Sequence, residues 1–311
     1  MGGSQGSDRP LVDSHTHVLP SAAASAAFLR GIGLEPSPGD GDVPELLRLS
    51  AECGIARTMI VPWLPAQPRV EQKVADGIDR RIATRAVLDD WHELNAWATA
   101  AVRAAPDALM CVVGLDPILA DVVELRGEVA LRLAEGAVGL KIAPRFLGVT
   151  PDDPAMDPFW QLADEFGVPV LSESGSSGYE GGVVFGAPEH FEAVLRAYPD
   201  VDIVLAHLGL GGEDDVARLT AEFPNLYADT SLRLSPPEQG GLSDDDLVAL
   251  FRKIGTDRVL FGTNYPLVDQ AGYADRLRRL PLTDSELEAI GSDNAVHFWG
   301  IPPPEPAGAA N

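Results

Sequence analysis

Eight short runs of branched apolar residues recur along this chain, and each is followed by a longer stretch of helical spacing. The runs are Leu11–His15, Thr58–Pro62, Met110–Leu115, Val138–Ile142, Val168–Leu171, Val201–Ala206, Leu226–Ala228 and Val259–Phe261. Each has strand length and too little alternation for one wet face, so each predicts a strand buried on both sides. Helical patterns fill the gaps, over 45–52, 74–105, 119–135, 159–166, 189–198, 216–223, 244–254 and 273–280, with a last one over 284–299. Strands that alternate with helices form parallel βαβ units, and eight such units close on themselves. The expected fold is therefore α/β, a single (β/α)8 TIM barrel. An open doubly wound sheet is the competing architecture, but no G-x-G-x-x-G follows the first strand.

The barrel is expected over residues 11–300, with an insertion at 21–41 after the first strand. Residues 1–10 read as a flexible start and 301–311 as a disordered Pro/Ala/Gly tail. The start is polar and has no apolar stretch of a signal peptide, and no run of about 18 uncharged apolar residues occurs. A cytoplasmic location follows, with no membrane partner. The formal charge of −24 repels phosphate backbones, so nucleic acid is not an expected partner either. Cys53 and Cys111 match no zinc-knuckle spacing and read as reduced core residues.

Functional residues of a β/α barrel collect at the C-terminal ends of its strands. The first strand ends in His15-Thr16-His17, and alternate residues on a strand face the same way, so both imidazoles can turn inward together. The second ends at Trp63. The fourth carries Lys141, followed by Arg145 and Phe146. The fifth ends in Glu173, the sixth in His207, the seventh in Asp229-Thr230-Ser231 and the eighth in Asn264. Three of six histidines thus stand at strand ends with one carboxylate, a donor set suited to zinc, iron or manganese. His92, His190 and His297 fall in helical patterns and read as structural or surface groups. Glu173 has a plain structural alternative, an ion pair with Arg145 or Lys141.

The string Val12-Asp13-Ser14-His15-Thr16-His17 resembles the opening of the amidohydrolase superfamily, in particular its amidohydrolase-related group, which includes decarboxylases. Asn95, Pro106-Asp107, the string 114–117, Gly139-Leu140-Lys141, the strings 203–209 and 261–266, and Asn294-Ala295 are similar to that group too, so the likeness spans roughly residues 10–300. It implies a barrel of the metallo-dependent hydrolase type, a metal site held by His15, His17 and His207 and, frequently, a homodimer.

Two positions depart from the group's pattern. Glu173 stands where the group carries His, in a His-Thr-Gly string. Asn264 stands where it carries the Asp of Gly-Ser-Asp-Tyr-Pro. That Asp binds metal and takes a proton from the attacking water. Asn264 can offer a carbonyl oxygen but is no base at neutral pH. Glu173, in exchange, can bridge two ions.

Other branches of the superfamily place a carbamylated lysine on strand four, and Lys141 sits there. The resemblance extends to a dinuclear non-haem iron monooxygenase branch of bacterial secondary metabolism. On that reading His15, His17, Glu173, His207, Asn264 and Lys141 hold two divalent ions, iron preferred, with zinc or manganese as alternatives. Glu173, His207 and Lys141 are the catalytic candidates. Trp63, Phe146, Arg145 and the apolar part of the insertion would bind a bulky, largely apolar small molecule, anionic or carrier-linked. The alternative is a zinc-dependent hydrolase or non-oxidative decarboxylase.

Overall fold

The computed structural model describes residues 9–31, 33–35, 39–175 and 183–304. The expected flexible start and disordered tail fall mostly on residues 1–8 and 305–311, outside the described residues. Among the described residues nine parallel strands form the barrel: β1 (Leu11–Thr16), β2 (Ile55–Ile60), β3 (Leu109–Cys111), β4 (Val113–Gly114), β5 (Leu140–Ile142), β6 (Val170–Ser172), β7 (Ile203–Leu205), β8 (Leu226–Asp229) and β9 (Val259–Leu260). They pair as β1-β2-β3 and as β4 through β9 in sequence order. The third predicted run is thus two strands that change partner at Val112. Its N–H still donates to Ile60 O (3.3 Å), while the next, on Val113, donates to Gly139 O (2.8 Å).

The ring closes between β1 and the segment after β9. Ser14 N donates to Phe261 O (2.9 Å), Asn264 N to His15 O (2.8 Å) and His17 N to Tyr265 O (2.7 Å). Side chains reinforce this seam. Buried Asp13 accepts hydrogen bonds from Thr263 N (3.0 Å), Thr263 Oγ1 (2.7 Å), Gln270 Nε2 (3.0 Å) and His15 N (3.1 Å). The pairing of β1 with β2 slips between Asp13 and Thr16. Such an irregularity re-aims side chains, and here Asp13 turns to Thr263 and Gln270 while His15 turns to β8.

Inward residues of the strands, among them Val12, Met59, Met110, Leu171, Val204 and Leu260, pack with Phe298 and Trp299 of the last helix, Asn294–Trp299. One end of the barrel is therefore plugged with apolar side chains. The opposite end, where the strands finish, is left for polar chemistry. Gly114 marks a close approach in this core. A Cβ there would stand 2.2 Å from the Trp91 ring and 2.8 Å from Pro62 O.

The helices depart from the sequence reading in two places. The pattern over 74–105 is a helix from Arg80 to Ala104, and its first two residues end a separate, unpredicted helix, Ala66–Ala75. Gly77 breaks it at φ +88°, and the Asp79 carboxylate caps the new helix through Arg81 N (3.0 Å). The insertion is partly helical. Ala22–Gly31 buries Phe28 and Leu29 against Leu64, Val70 and Trp91. The Glu45 carboxylate straps it down by accepting from Gly41 N (3.1 Å) and the Tyr265 hydroxyl. Cys111 is a free core thiol as expected, whereas Cys53 is only half-buried. Among the described residues no helix is long and apolar enough to cross a membrane.

Replacing Asp13 by Ala would strand four donors at the barrel seam, on the buried residues Thr263, Gln270 and His15. Each buried orphan costs about 1–3 kcal/mol, so Asp13→Ala should destabilise the fold by roughly 2–5 kcal/mol. Urea unfolding measures this, and a loss below about 1 kcal/mol would remove Asp13 from the closure.

Candidate active site

The polar end of the barrel holds a cavity of about 740 Å³. Every residue named from the sequence as a site candidate lines it: His15, His17, Trp63, Lys141, Arg145, Phe146, Glu173, His207 and Asn264. The structure brings them together from six different strand ends. Backbone strain gathers here too. Among the described residues, the non-glycine positions with positive φ are His207 (63°), Leu208 (52°), Leu232 (60°) and Asn264 (80°). Each lies at or next to the cavity. Such conformations persist only where the surroundings enforce them, and they cluster at functional sites.

The imidazoles are each held by the nitrogen that faces away from the cavity. His17 Nδ1–H donates to Val61 O (3.0 Å), which fixes its tautomer, because a carbonyl can only accept. His15 Nδ1–H donates to Asp229 Oδ2 (2.8 Å). His207 Nδ1 lies 2.8 Å from Ser231 Oγ and 3.2 Å from Ser231 O. Burial disfavours the imidazolium in all three. It takes His207 down to about 3, with the charge on His15 adding to the effect. His15 is lowered by burial against the pull of Asp229. His17 falls well below its ordinary value by burial, then by His15 and Lys141. Neutral rings anchored at Nδ1 present a lone pair at Nε2, the state a metal ligand requires.

Asp229 is the group that sequence reasoning left without a role. It is fully buried and spends both oxygens on the site. Oδ2 takes His15, while Oδ1 accepts from His207 N (3.0 Å), Ser231 N (2.9 Å) and the Ser231 hydroxyl. Although burial opposes ionisation, His15 and its other donors hold Asp229 well below the ordinary carboxylate range. Its one sequence signal was position, a carboxylate at the end of the seventh run.

The donor set fits a divalent ion at one point. His15 Nε2 and His17 Nε2 stand 3.1 Å apart with both lone pairs facing the gap. Two such nitrogens repel unless a cation lies between them, and bonds of about 2.0–2.1 Å to one ion bring imidazole nitrogens to roughly this spacing. Asn264 adds a buried Oδ1 with no hydrogen-bond partner. The expected six-ligand, two-ion centre is not preassembled. Among the described residues no three His, Cys, Asp or Glu side chains gather as they would around an ion. His207 stacks on His15 at 5.5 Å, off the pair. Glu173 turns aside to accept from Arg145 N (3.5 Å).

Lys141 is buried on β5. Burial lowers its amine to about 8, although the charges of Glu173 and Asp229 pull the other way. Burial likewise raises the Glu173 carboxyl, against Lys141 and Arg145. Above these groups Trp63 forms a wall with Phe146 (4.7 Å between ring centres) and Phe28 (4.9 Å). Arg145 lies over the Phe146 ring at 5.5 Å.

The amidohydrolase family model matches residues 12–301. The chain belongs to the amidohydrolase family. Solved structures carry the same fold at low identity. An uncharacterised TIM-barrel protein from Bordetella bronchiseptica is 20% identical with a TM-score of 0.70, covering 94% of this chain and 98% of that one. A 5-carboxyvanillate decarboxylase from Sphingomonas paucimobilis is 17% identical with a TM-score of 0.64, covering 94% and 99%. A dihydroxybenzoic acid decarboxylase from Polaromonas sp. JS666, solved with manganese and the inhibitor 2-nitroresorcinol, is 18% identical with a TM-score of 0.68, covering 94% and 97%. No curated protein sequence matches the chain. In this amidohydrolase three histidines stand at the ends of β1 and β7, and the acidic groups beside them are Glu173 and the anchoring Asp229.

Outer partners of metal-bound histidines typically contribute 10- to 100-fold in affinity. Asp229→Asn removes the charge that orients His15 and should weaken divalent-metal retention by about that factor. Metal content after dialysis against a chelator checks this, and unchanged retention would strip Asp229 of its anchoring role.

Proposed function

We propose that this amidohydrolase is a metal-dependent, non-oxidative decarboxylase of a small-molecule carboxylate with a bulky, largely apolar body. The observation that carries this reading is the cavity itself, with two cations, Lys141 and Arg145, and a carboxyl, Glu173, set beneath an aromatic wall. The decarboxylases among the structural relatives, one of them holding manganese, support it. Oxygenation, preferred from the sequence, draws no support from those relatives.

Asn264 matters to the choice. Hydrolysis needs a base for water, and an amide cannot take that proton. Decarboxylation needs instead an anion anchor and a proton donor. Trp63 and Phe146 would stack on the substrate body and keep water off the reacting carbon. Lys141 and Arg145 would hold the carboxylate. When the carbon–carbon bond breaks, carbon dioxide leaves and the electron pair stays on the substrate carbon. Glu173, its carboxyl kept up by burial, would deliver a proton to that carbon. His15, His17 and Asn264 would hold a divalent ion, which supplies Lewis-acid polarisation of a substrate oxygen when bound.

A positioned general acid contributes about 10²–10⁴ in rate. Glu173→Gln should therefore lower kcat for carbon dioxide release at least about 100-fold and leave metal content intact. The assay is carbon dioxide release from aromatic carboxylates under anaerobic conditions. Turnover that requires oxygen and yields a hydroxylated acid would overturn the reading. Loss of metal in the variant would return Glu173 to the ligand set.

A further inference from the structure

We propose that the substrate's apolar body exceeds one aromatic ring, as in a fused-ring carboxylic acid, and that the helix Ala22–Gly31 selects for that size. The proposal rests on reading the site as one that takes a carboxylate. Pockets of roughly 300–1,000 Å³ enclose ligands well beyond a single ring, and this cavity measures about 740 Å³.

Its aromatic wall is continuous from floor to mouth. His17 meets Trp63 at 5.6 Å between ring centres, and Trp63 meets Phe28 at 4.9 Å. A one-ring acid anchored at Lys141 and Arg145 would use the Trp63 end of this wall and leave the Phe28 end in water. A larger body covers both. Phe28 comes from the insertion, outside the barrel, so the wall is extended by a segment that contributes nothing to the imidazole floor.

Among the described residues that line the mouth, the one charge is already engaged. Arg69 is paired with Asp90 at 3.3 Å, and Gln72 donates to Asp76 at 3.0 Å. What the insertion adds beside them is apolar: Phe28, Leu34 and, at Gly31, open space in which a Cβ would meet nothing within 4 Å. Recognition thus divides into one anionic end at the floor and an apolar body that grows toward the helix. Apolar area removed from water sets the affinity gained along that direction.

The test titrates the protein as purified, with its metal content intact, with benzoate, naphthalene carboxylate and anthracene carboxylate, following tryptophan fluorescence. Affinity should rise at least tenfold from the one-ring to the three-ring acid. Phe28→Leu and Gly31→Leu should each cut the ratio of three-ring to one-ring affinity by fivefold or more. Phe28→Leu shortens the wall, whereas Gly31→Leu fills the mouth from an exposed position that does not threaten folding. Affinity that is flat or falls with ring number overturns the size proposal, as does a ratio that neither variant changes. Carbon dioxide release is scored separately on the same acids. Tight, size-dependent binding with no release from any acid upholds the size proposal and counts against decarboxylation alone.

Discussion

One buried carboxylate organises the chemistry of this barrel. Asp229 is charged where burial would favour neutrality, and it remains so because His15, Ser231 and the His207 backbone all donate to it. Through those contacts it sets the ring plane of His15 and the path of the chain at His207, where φ is positive. His15 of the imidazole pair and the His207 ring stacked on it depend on that arrangement. Removing a partner from a buried charge is far more damaging than replacing a surface ion pair. The site is therefore braced by the same interaction that makes it reactive.

Much of the fold was legible in the sequence because burial on both faces leaves an unbroken apolar signature. Seven of the eight predicted runs contain or overlap a single strand each, and the third is divided at Val112. That division was not legible, since it reflects a change of hydrogen-bonding partner and not a change of residue type. The break at Gly77 was missed for a related reason, as the helical spacing continues across it. The helix in the insertion was hidden by its small residues. Ala22, Ala23, Ala24, Ala26 and Ala27 leave Phe28 and Leu29 as the only large anchors of the first two turns.

The site was legible in its members but not in its wiring. Strand ends located His15, His17, Lys141, Glu173, His207 and Asn264, and the cavity gathers all of them. What the linear pattern could not convey was direction. His15 and Asp13 are two residues apart and would share a face on a regular strand, yet the slipped register of β1 sends one to the seam and the other to Asp229. Spacing left Glu173 between two roles, a metal ligand and a partner of Arg145 or Lys141, and here its carboxylate accepts from Arg145 N.

The change of partner at Val112 has a bearing on how the protein comes to be active. His15 and His17, with the Val61 carbonyl that fixes one of them, belong to the three-stranded sheet or the turns that leave it. Asp229, Lys141 and His207 belong to the six-stranded one or its exits. Neither half alone has a complete site. An ion held by these residues would therefore need both halves docked and the seam beside Asp13 shut.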